Sequence, residues 1–299
     1  MPLFCRHNRL TPNCPICSRE FEAELKAKAP SRATRARAGA QGTRRGGRAP
    51  ARRPGVVTRR VPRPADDGYR NPLVPGLRAT ADAERLAAAL AAALARLAPP
   101  GPYPVVAAEP DREEATWLAF LLALAGAHAP ELQEALAEAR PSWASGELPD
   151  LPGAGARTVA AYRAWAQRAG SQAAGFHGDP EWSPQRRFGR VFERLALPGL
   201  RRAARYELLV VLGSAGLYML EADALHLGAQ DDPTSLAAKR LLVSGDRMLL
   251  ERRARDLADA CELPMAALDR GLAVWGESEA VVDLDVETPA AVRGALGLR

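Results

Sequence analysis

The sequence is poor in the residues that favour β-sheets. Isoleucine occurs only at Ile16 and aromatic residues make up 5% of the chain, whereas alanine and leucine dominate. Because β-branched and aromatic side chains favour strands while Ala and Leu favour helices, this shortage predicts an all-α body. At 299 residues, 47% of them hydrophobic, the chain has enough apolar material for one large or two small domains.

Long apolar runs are also missing. The longest one, Trp117–Ala127, is too short to span a bilayer, and no apolar segment follows the charged N-terminus as a secretion signal would require. We therefore expect that the protein does not bind a membrane and that it is located in the reducing environment of the cytoplasm. The four cysteines are then thiols or metal ligands rather than disulfides.

Acidic residues are absent between residues 25 and 65, a stretch with thirteen Lys and Arg residues. Residues 1–24 are neutral, so the net charge of +6 leaves 6 − 13 = −7 for residues 66–299. With few large apolar side chains, residues 25–76 are predicted to be a disordered, Arg-rich linker that binds DNA phosphates without reading sequence. The alternative is a linker that only improves solubility.

Three cysteines and one histidine lie within the first seventeen residues. Cys14 and Cys17 form a C-x2-C turn that can direct both thiolates at one ion, and Cys5 and His7 supply a second pair. Four such ligands suit tetrahedral Zn²⁺ and leave no open position for catalysis. We expect a structural zinc module over residues 1–24, which could not hold a core without a metal. The alternative is reduced cysteines beside a surface histidine.

Residues 77–299 are predicted to form one helical domain. The apolar periodicity and the helix-breaking residues predict ten helices and one strand or extended segment. The predicted helices are 80–97, 111–127, 130–140, 158–167, 185–195, 200–212, 233–243, 246–261, 265–275 and 288–298, with a short strand or extended tail at 278–286. Residues 175–182 are predicted to be an irregular loop.

The helix after Ser183 and Pro184 carries a cluster of basic residues. Ser183 is a typical N-cap and Pro184 a typical first helical residue. The basic residues on this helix are predicted to form a ridge that binds phosphate groups. The alternative is that they form an ordinary solvent-exposed helix face. The basic residues are Arg186, Arg187, Arg190 and Arg194.

Two Leu-Pro-Gly turns stand out. Leu197–Gly199 interrupts a predicted helix and precedes an amphipathic one, and glycine allows the positive φ that a tight turn between helices needs. Asp223 follows Gly199 by 24 residues. An earlier copy, Leu151–Gly155, has a second glycine and is followed by Asp179, 26 residues after Gly153.

This pattern resembles the helix-hairpin-helix DNA glycosylase superfamily, in which a Leu-Pro-Gly-x-Gly hairpin offers backbone N–H groups to a DNA phosphate and a catalytic Asp follows. Trp117–Ala127 resembles that family's early core helix. The later turn lacks the second glycine, where Arg201 stands, but it leaves about 120 residues of helical chain before the turn, as the family does. In this later register, the C-terminal helices are expected to pack back onto the first ones.

The resemblance implies which residues bind DNA and which act on it. In the later register the implied DNA contacts are Gly199, Arg201 and Arg202, and in the earlier one Gly153 and Gly155. The implied catalytic carboxylate is Asp223, at a helix start in a partly apolar pocket, and Asp179 with His177 is the reserve pair. An Asp at such a position is also often a simple helix cap. His226, three residues after Asp223, could face the same side, although a single histidine is more often structural.

Within the superfamily, the chain resembles clade 3 of the bacterial α-glutamyl/putrescinyl thymine pyrophosphorylases. The motifs that carry this resemblance are Cys5–Asn8, Cys14–Cys17, Ala237–Arg240, Gly245–Asp246 and Leu249–Ala254. It implies hypermodification of a pyrophosphorylated thymine in DNA, alongside other DNA-modification enzymes. A backbone lyase is not expected, because Arg201 and Arg202 stand where lyases carry a Schiff-base lysine, and Arg keeps its proton. The alternatives are a base-excision glycosylase and a non-catalytic DNA-binding adaptor.

Overall fold

The computed structural model describes residues 64–126, 129–145, 155–228, 232–277 and 286–299. Within these residues the chain forms twelve helices and no strand, which confirms the all-α prediction. The helices are α1 (Thr80–Leu97), α2 (Pro104–Ala107), α3 (Arg112–Ala125), α4 (Pro130–Ala139), α5 (Gly155–Ala169), α6 (Gln172–His177), α7 (Pro184–Arg194), α8 (Arg202–Ser214), α9 (Pro233–Leu242), α10 (Arg247–Ala260), α11 (Met265–Glu277) and α12 (Ala290–Ala295). None of them is long and apolar enough to cross a membrane.

Several earlier predictions fall outside the described residues. These are the zinc ligands Cys5, His7, Cys14 and Cys17, the linker as far as residue 63, Gly153 of the earlier turn, and most of the predicted strand or tail, at 278–285.

Side-chain caps explain where many of the helices begin. Asp111 accepts hydrogen bonds from the N–H groups of Glu113 and Glu114, at 2.8 and 3.0 Å. Ser183 caps α7 and Asp246 caps α10 in the same way, at 3.2 and 2.8 Å. Each such cap satisfies an N–H group that has no partner within the helix and contributes about 1 kcal/mol. The start of α7 was predicted from its cap, because Ser183 and the N–H group that it binds are close in sequence.

The helices pack into two hydrophobic cores. The first core combines α1 with α9, α10, α11 and α12, so the C-terminal helices fold back onto the first helix. The second core contains α2 to α8 and Tyr218. After α8, the chain returns to the first core, where Leu225 and Leu227 are buried. This return agrees with the arrangement expected for the later Leu-Pro-Gly turn.

The few aromatic residues are concentrated in the second core. The rings of Phe120 and Tyr162 stack with centroids 3.8 Å apart, and Trp117 and Trp165 lie 6.0 and 5.6 Å from Tyr162. Fully burying a side chain as large as Phe contributes about 2–3 kcal/mol. The second core is thus built on a small number of large rings, whereas the first is built mainly on Ala and Leu.

Residues 69–76, which the composition assigns to the linker, pack against the helical body in the structure. Val74 and Leu77 are buried in the first core. The Tyr69 hydroxyl donates to the Leu296 carbonyl at 2.6 Å, and the Gly76 N–H donates to the Leu241 carbonyl at 2.8 Å. The prediction placed this boundary at residue 77 because composition alone does not show these contacts with distant helices.

The predicted loop at 175–182 is also partly wrong, since α6 covers its first three residues. The Glu113 carboxylate accepts hydrogen bonds from the N–H groups of Gln172 and Ala173, at 3.2 and 2.8 Å, at the start of this short helix. Glu113 is 59 residues away from Gln172. A helix stabilised by so distant an acceptor carries only a weak local signal.

Close packing of α1 and α11 at Gly271 yields a test of the first core. A Cβ at this position would lie 2.6 Å from Leu90 Cδ2 and 3.2 Å from its Cα, whereas a Cβ on Gly294 in α12 would meet nothing within 4 Å. We expect Gly271→Val to lower the free energy of unfolding by about 2 kcal/mol through overpacking. The matched variant Gly294→Val is expected to change it by less than about 0.5 kcal/mol. Urea denaturation followed by circular dichroism measures both, and equal stabilities of the two variants would contradict this packing.

Candidate functional site

A cleft of about 1550 Å³ lies between the helices of the described structure. It is lined by the end of α3, the first half of α8, residues 224–228, the starts of α9 and α10, and one side of α11. Both cores therefore contribute to its walls, since α3 and α8 belong to the second core and α9, α10 and α11 to the first. Its volume exceeds the 300–1000 Å³ typical of small-molecule pockets, so it has room for a large ligand.

The later Leu-Pro-Gly turn lies at the edge of this cleft. Gly199 is exposed and has φ +81°, as predicted for a tight turn. A Cβ on Gly199 would lie 2.1 Å from Thr158 Oγ1, so close packing also requires glycine here. Arg201 is the N-cap of α8, and no side chain caps this helix. The turn therefore presents an exposed glycine and an uncapped helix N-terminus, the positive end of the helix dipole, to the cleft.

The earlier turn is only partly described. Gly155 begins α5 and is half-buried, and it does not line the cleft. Thr158, one turn further along α5, is the residue that packs against Gly199. The start of α5, which follows the earlier turn in the sequence, thus packs against the later turn, and the later turn lies at the cleft.

Arg202 is a buried ion-pair centre, which corrects the expectation that it is a surface DNA contact. Its Nη2 donates to the carboxylate of Asp269 in α11 and to the Leu225 carbonyl, and its Nη1 lies 3.6 Å from Asp232 Oδ1. Only 3% of the side chain is exposed, and the guanidinium lies 4.7 Å over the Tyr206 ring. Burial raises the pKa of the Asp269 carboxyl, and the adjacent Arg202 charge opposes that rise. Arg202 connects α8 of the second core to the first core.

Arg187 is likewise buried, so it is not part of a surface ridge. Its guanidinium donates to the carbonyls of His177, Met219 and Asp179, at 2.7, 3.1 and 3.3 Å. Arg187 therefore links the segment between α6 and α7 to the segment that follows α8. Arg186 and Arg190 remain exposed on α7, as predicted. Arg190 lies 3.4 Å from the exposed Glu193. An ion pair at the surface contributes at most about 1 kcal/mol to the free energy of unfolding.

The predicted catalytic carboxylate, Asp223, lies in the connection after α8 and not at a helix start. It is exposed, and its backbone carbonyl accepts a hydrogen bond from Arg255 of α10 at 2.9 Å. Its neighbour Ala224 lines the cleft. Asp223 therefore lies beside the cleft, anchored through its backbone with its side chain exposed.

The reserve pair, Asp179 and His177, lies away from the cleft lining. Asp179 accepts from the Glu181 N–H at 2.9 Å in an exposed turn, and His177 Nε2 lies 3.3 Å from Arg112 Nη1. These contacts give both side chains local structural roles.

His226 lines the cleft in a constrained position. It has φ +52°, and its ring lies nearly parallel to Phe192, with centroids 4.6 Å apart. Its Nε2 is buried and has no hydrogen-bond partner in the described structure. Burial lowers the pKa of His226, and the negative charges of Glu251 and Asp223 oppose that effect. The imidazole is therefore neutral near pH 7.

Glu251 holds the His226 backbone in place. Its Oε2 accepts from the Leu225 N–H at 2.8 Å and its Oε1 from the Leu227 N–H at 2.7 Å, on either side of His226. Sequence reasoning assigned no role to Glu251. Its position within the Leu249–Ala254 motif was the only signal, because a carboxylate that binds distant backbone N–H groups has no local signature.

The cleft lining has a slight excess of positive charge, seven arginines against six carboxylates, although the body is acidic. Three of its carboxylates are engaged internally: Asp232 and Asp269 with Arg202, and Glu251 with backbone N–H groups. Of the others, Glu207 pairs with Arg96 at 2.6 Å, and Glu193 and Glu277 are exposed. Besides Arg202, the arginines that line the cleft are Arg201, Arg205, Arg247, Arg252, Arg255 and Arg270. Guanidinium groups in a concave surface can bind an anionic ligand.

Arg202 and Arg201 form a matched pair for testing the buried ion pairs. Arg202→Met leaves Asp232 and Asp269 buried without a counter-charge, so we expect it to lower the free energy of unfolding by about 3–5 kcal/mol. Arg201→Met changes an exposed neighbour and is expected to cost less than about 0.5 kcal/mol. Urea denaturation measures the difference, and a loss below about 1 kcal/mol for Arg202→Met would show that the pairs do not hold the cores together.

The lowered pKa of His226 yields a pH test. The unfolded chain, with an ordinary histidine pKa of 6.5, binds a proton more readily than the folded chain. The stability that neutral His226 contributes is thus complete above pH 6.5 and is lost as the pH falls below it. We expect His226→Asn, which tolerates the positive φ, to lose less stability than the unaltered protein between about pH 7.5 and 5.5. The other histidines are common to both proteins, so parallel pH profiles would refute the burial effect.

Comparison with known proteins finds no match to this chain among family models, curated proteins or solved structures. The resemblance to the glycosylase superfamily therefore rests on particular sequence motifs alone.

Proposed function

We propose that this protein binds DNA and acts on a base held in the cleft. The observation that carries the proposal is the joint position of three features at one cavity: the Gly199 turn, the uncapped N-terminus of α8 and the six arginines of the cleft surface. Backbone N–H groups at a helix N-terminus bind phosphate, and arginines neutralise further phosphates. The helix-hairpin-helix assignment is part of this proposal.

Charge distribution supports a nucleic acid rather than a small anion as the ligand. Residues 66–299 carry a net charge of −7, so the positive balance of the cleft lining, seven arginines against six carboxylates, is a local feature. The linker with thirteen positive charges would add sequence-independent affinity and offset the repulsion between the acidic surface and DNA. The protein would act at the nucleoid, in the cytoplasm.

For the chemistry, we propose Asp223 as the carboxylate that activates a nucleophile or stabilises positive charge, with neutral His226 in the cleft beside it. The Glu251 hydrogen bonds fix the backbone around His226 and so make Glu251 a positioning residue. A base must leave the duplex to reach such a cavity, at a cost of a few kcal/mol that protein contacts offset.

Schiff-base lyase chemistry is not part of the proposal. It needs a lysine amine at the reacting carbon. In the described part of the chain lysine occurs only at Lys239, which is on α9 and does not line the cleft.

The finer proposal is hypermodification of a pyrophosphorylated thymine, as the sequence resemblance implies. The cleft arginines support it, because a departing pyrophosphate carries away the electron pair of the broken C–O bond and leaves as an anion that guanidinium groups stabilise. Cys5, His7, Cys14 and Cys17 would hold a structural Zn²⁺. Other DNA-modification enzymes would supply the substrate.

The test is mass spectrometry of nucleosides from the DNA of cells with and without the protein, together with an abasic-site assay on modified and damaged duplexes. We expect a modified thymidine that depends on the protein. In Asp223→Asn, turnover should fall by at least about 100-fold while DNA affinity is unchanged. Asp256→Asn, an exposed Asp on α10 outside the cleft lining, is the matched control.

The other outcomes separate the rival functions. Abasic sites without a modified nucleoside would identify a base-excision glycosylase. DNA binding with neither product would identify a non-catalytic adaptor, and in that case Asp223→Asn would change nothing. Failure of the full chain to bind DNA would refute the proposal as a whole.

A further inference from the structure

A second concave surface, outside the cleft, lies where α5, α6 and α7 meet. This depression has a volume of about 330 Å³. The residues that line it are Trp165, Arg168, Ala169, Ala174, Gly175 and Arg194. The lining thus contains two arginines and no carboxylate, whereas the seven arginines of the cleft are accompanied by six carboxylates. Arg168 and Arg194 are exposed, and neither makes an ion pair or a side-chain hydrogen bond with the described residues. The depression is therefore a small concave surface with two available guanidinium groups.

Trp182 extends this surface along α7. Its ring centroid lies 5.0 Å from Cζ of Arg194 and 6.0 Å from Cζ of Arg186. These two arginines are two turns apart on the helix, about 12 Å, so the indole lies along the exposed face of α7. A Cβ on Gly178 would lie 2.6 Å from the edge of the indole, so the ring packs closely on the Gly178 backbone. The surface therefore offers a fixed, partly exposed indole between two guanidinium groups.

Carboxylates also occur on this side of the body, but none of them lines the depression. Glu193 lies 3.4 Å from Arg190. Asp179 accepts a hydrogen bond from the Glu181 N–H at 2.9 Å, in the turn before Trp182. The positive charge of the depression is therefore local, and an anion has to enter it to contact both guanidinium groups.

We propose that this surface binds single-stranded DNA, with a phosphate between Arg168 and Arg194 and a base packed on Trp182. The surface lies outside the cleft, so the inference goes beyond the proposed function and does not depend on it. A positively charged groove beside an aromatic ring suits a single strand, because guanidinium groups neutralise the backbone and any base can pack on the ring. In an intact duplex the base faces are already stacked on one another, so only an unpaired strand can use both parts of the surface.

The lining of the depression favours DNA over RNA. Proteins distinguish RNA from DNA by hydrogen bonds to the 2′-hydroxyl. None of the six lining residues carries a side-chain oxygen that could accept a hydrogen bond from this group. The surface therefore has no side chain that rewards the extra hydroxyl of RNA.

The test measures the binding of fluorescent oligothymidylate to the full chain by anisotropy over a range of salt concentrations. Arg168→Gln combined with Arg194→Gln removes both charges of the depression. We expect affinity to fall roughly tenfold or more at about 0.1 M salt. The slope of log K against log salt concentration should become shallower by about 1.4, because each phosphate contact on a single strand contributes about 0.7.

Arg78→Gln combined with Arg299→Gln is the matched control. Both arginines are exposed and line neither the cleft nor the depression. The control lowers the net charge by the same amount and keeps the same cationic residues 25–65. It should therefore retain the slope and nearly all of the affinity of the unaltered protein.

Trp182 is tested separately, because packing of a base releases no counterions. We expect Trp182→Ala to weaken binding of oligothymidylate at least about fivefold without changing the salt slope, and to leave binding of an intact duplex unchanged. Trp182→Phe keeps an aromatic ring and should retain most of the affinity. Circular dichroism checks that each variant is folded.

Several results would overturn the inference. It is wrong if the full chain does not bind oligothymidylate, if the depression variant binds like its matched control, or if Trp182→Ala weakens single-strand and duplex binding equally. Tighter binding of oligouridylate with the same dependence on Arg168 and Arg194 would assign the surface to RNA instead. The cleft arginines are intact in all these variants, so none of these results decides the proposed function, which the nucleoside assay tests.

Discussion

The cleft depends on one buried arginine. Arg202, at the start of α8, places its guanidinium against carboxylates of the first core, and one of its partners, Asp269, is 67 residues further along the chain. Desolvating these charges is costly, so the arrangement is stable only while all three are together. The pairs hold the second core to the first at a point where apolar packing gives way to the cavity. A second ion pair, Arg96 with Glu207, links α1 to α8 and is only partly buried.

Charge is divided between the inside and the mouth of the cavity. Inside it, Asp232 and Asp269 neutralise Arg202, and Glu251 binds backbone N–H groups. The lining also includes the exposed Glu193 and Glu277, so its excess of positive charge is slight, seven arginines against six carboxylates. An acidic body thereby contains a cleft with a positive balance, a combination that net charge does not reveal. Glu251 lies on α10, whose start lines the cleft, and it holds the backbone around His226.

Much of the fold was predictable where the signal was local. The start of α7 followed from Ser183, since a cap acts on N–H groups two or three residues away. The positive φ of Gly199 followed from its place in a Leu-Pro-Gly turn. The packing of residues 69–76 against the body and the helix α6 were missed, because their stabilising partners lie on distant helices.

The sequence by itself determined the all-α class, most helix boundaries and the separation of a basic segment, residues 25–65, from the acidic residues 66–299, because composition, periodicity and capping act over a few residues. Only the tertiary structure decided which arginines are exposed. Arg201 and Arg202 are neighbours in the sequence, as are Arg186 and Arg187, yet in each pair one is exposed and the other is buried. Successive residues on a helix point about 100° apart, so burial depends on what the rest of the chain brings to that side. For Arg202 that is Asp269, and no local pattern indicates it.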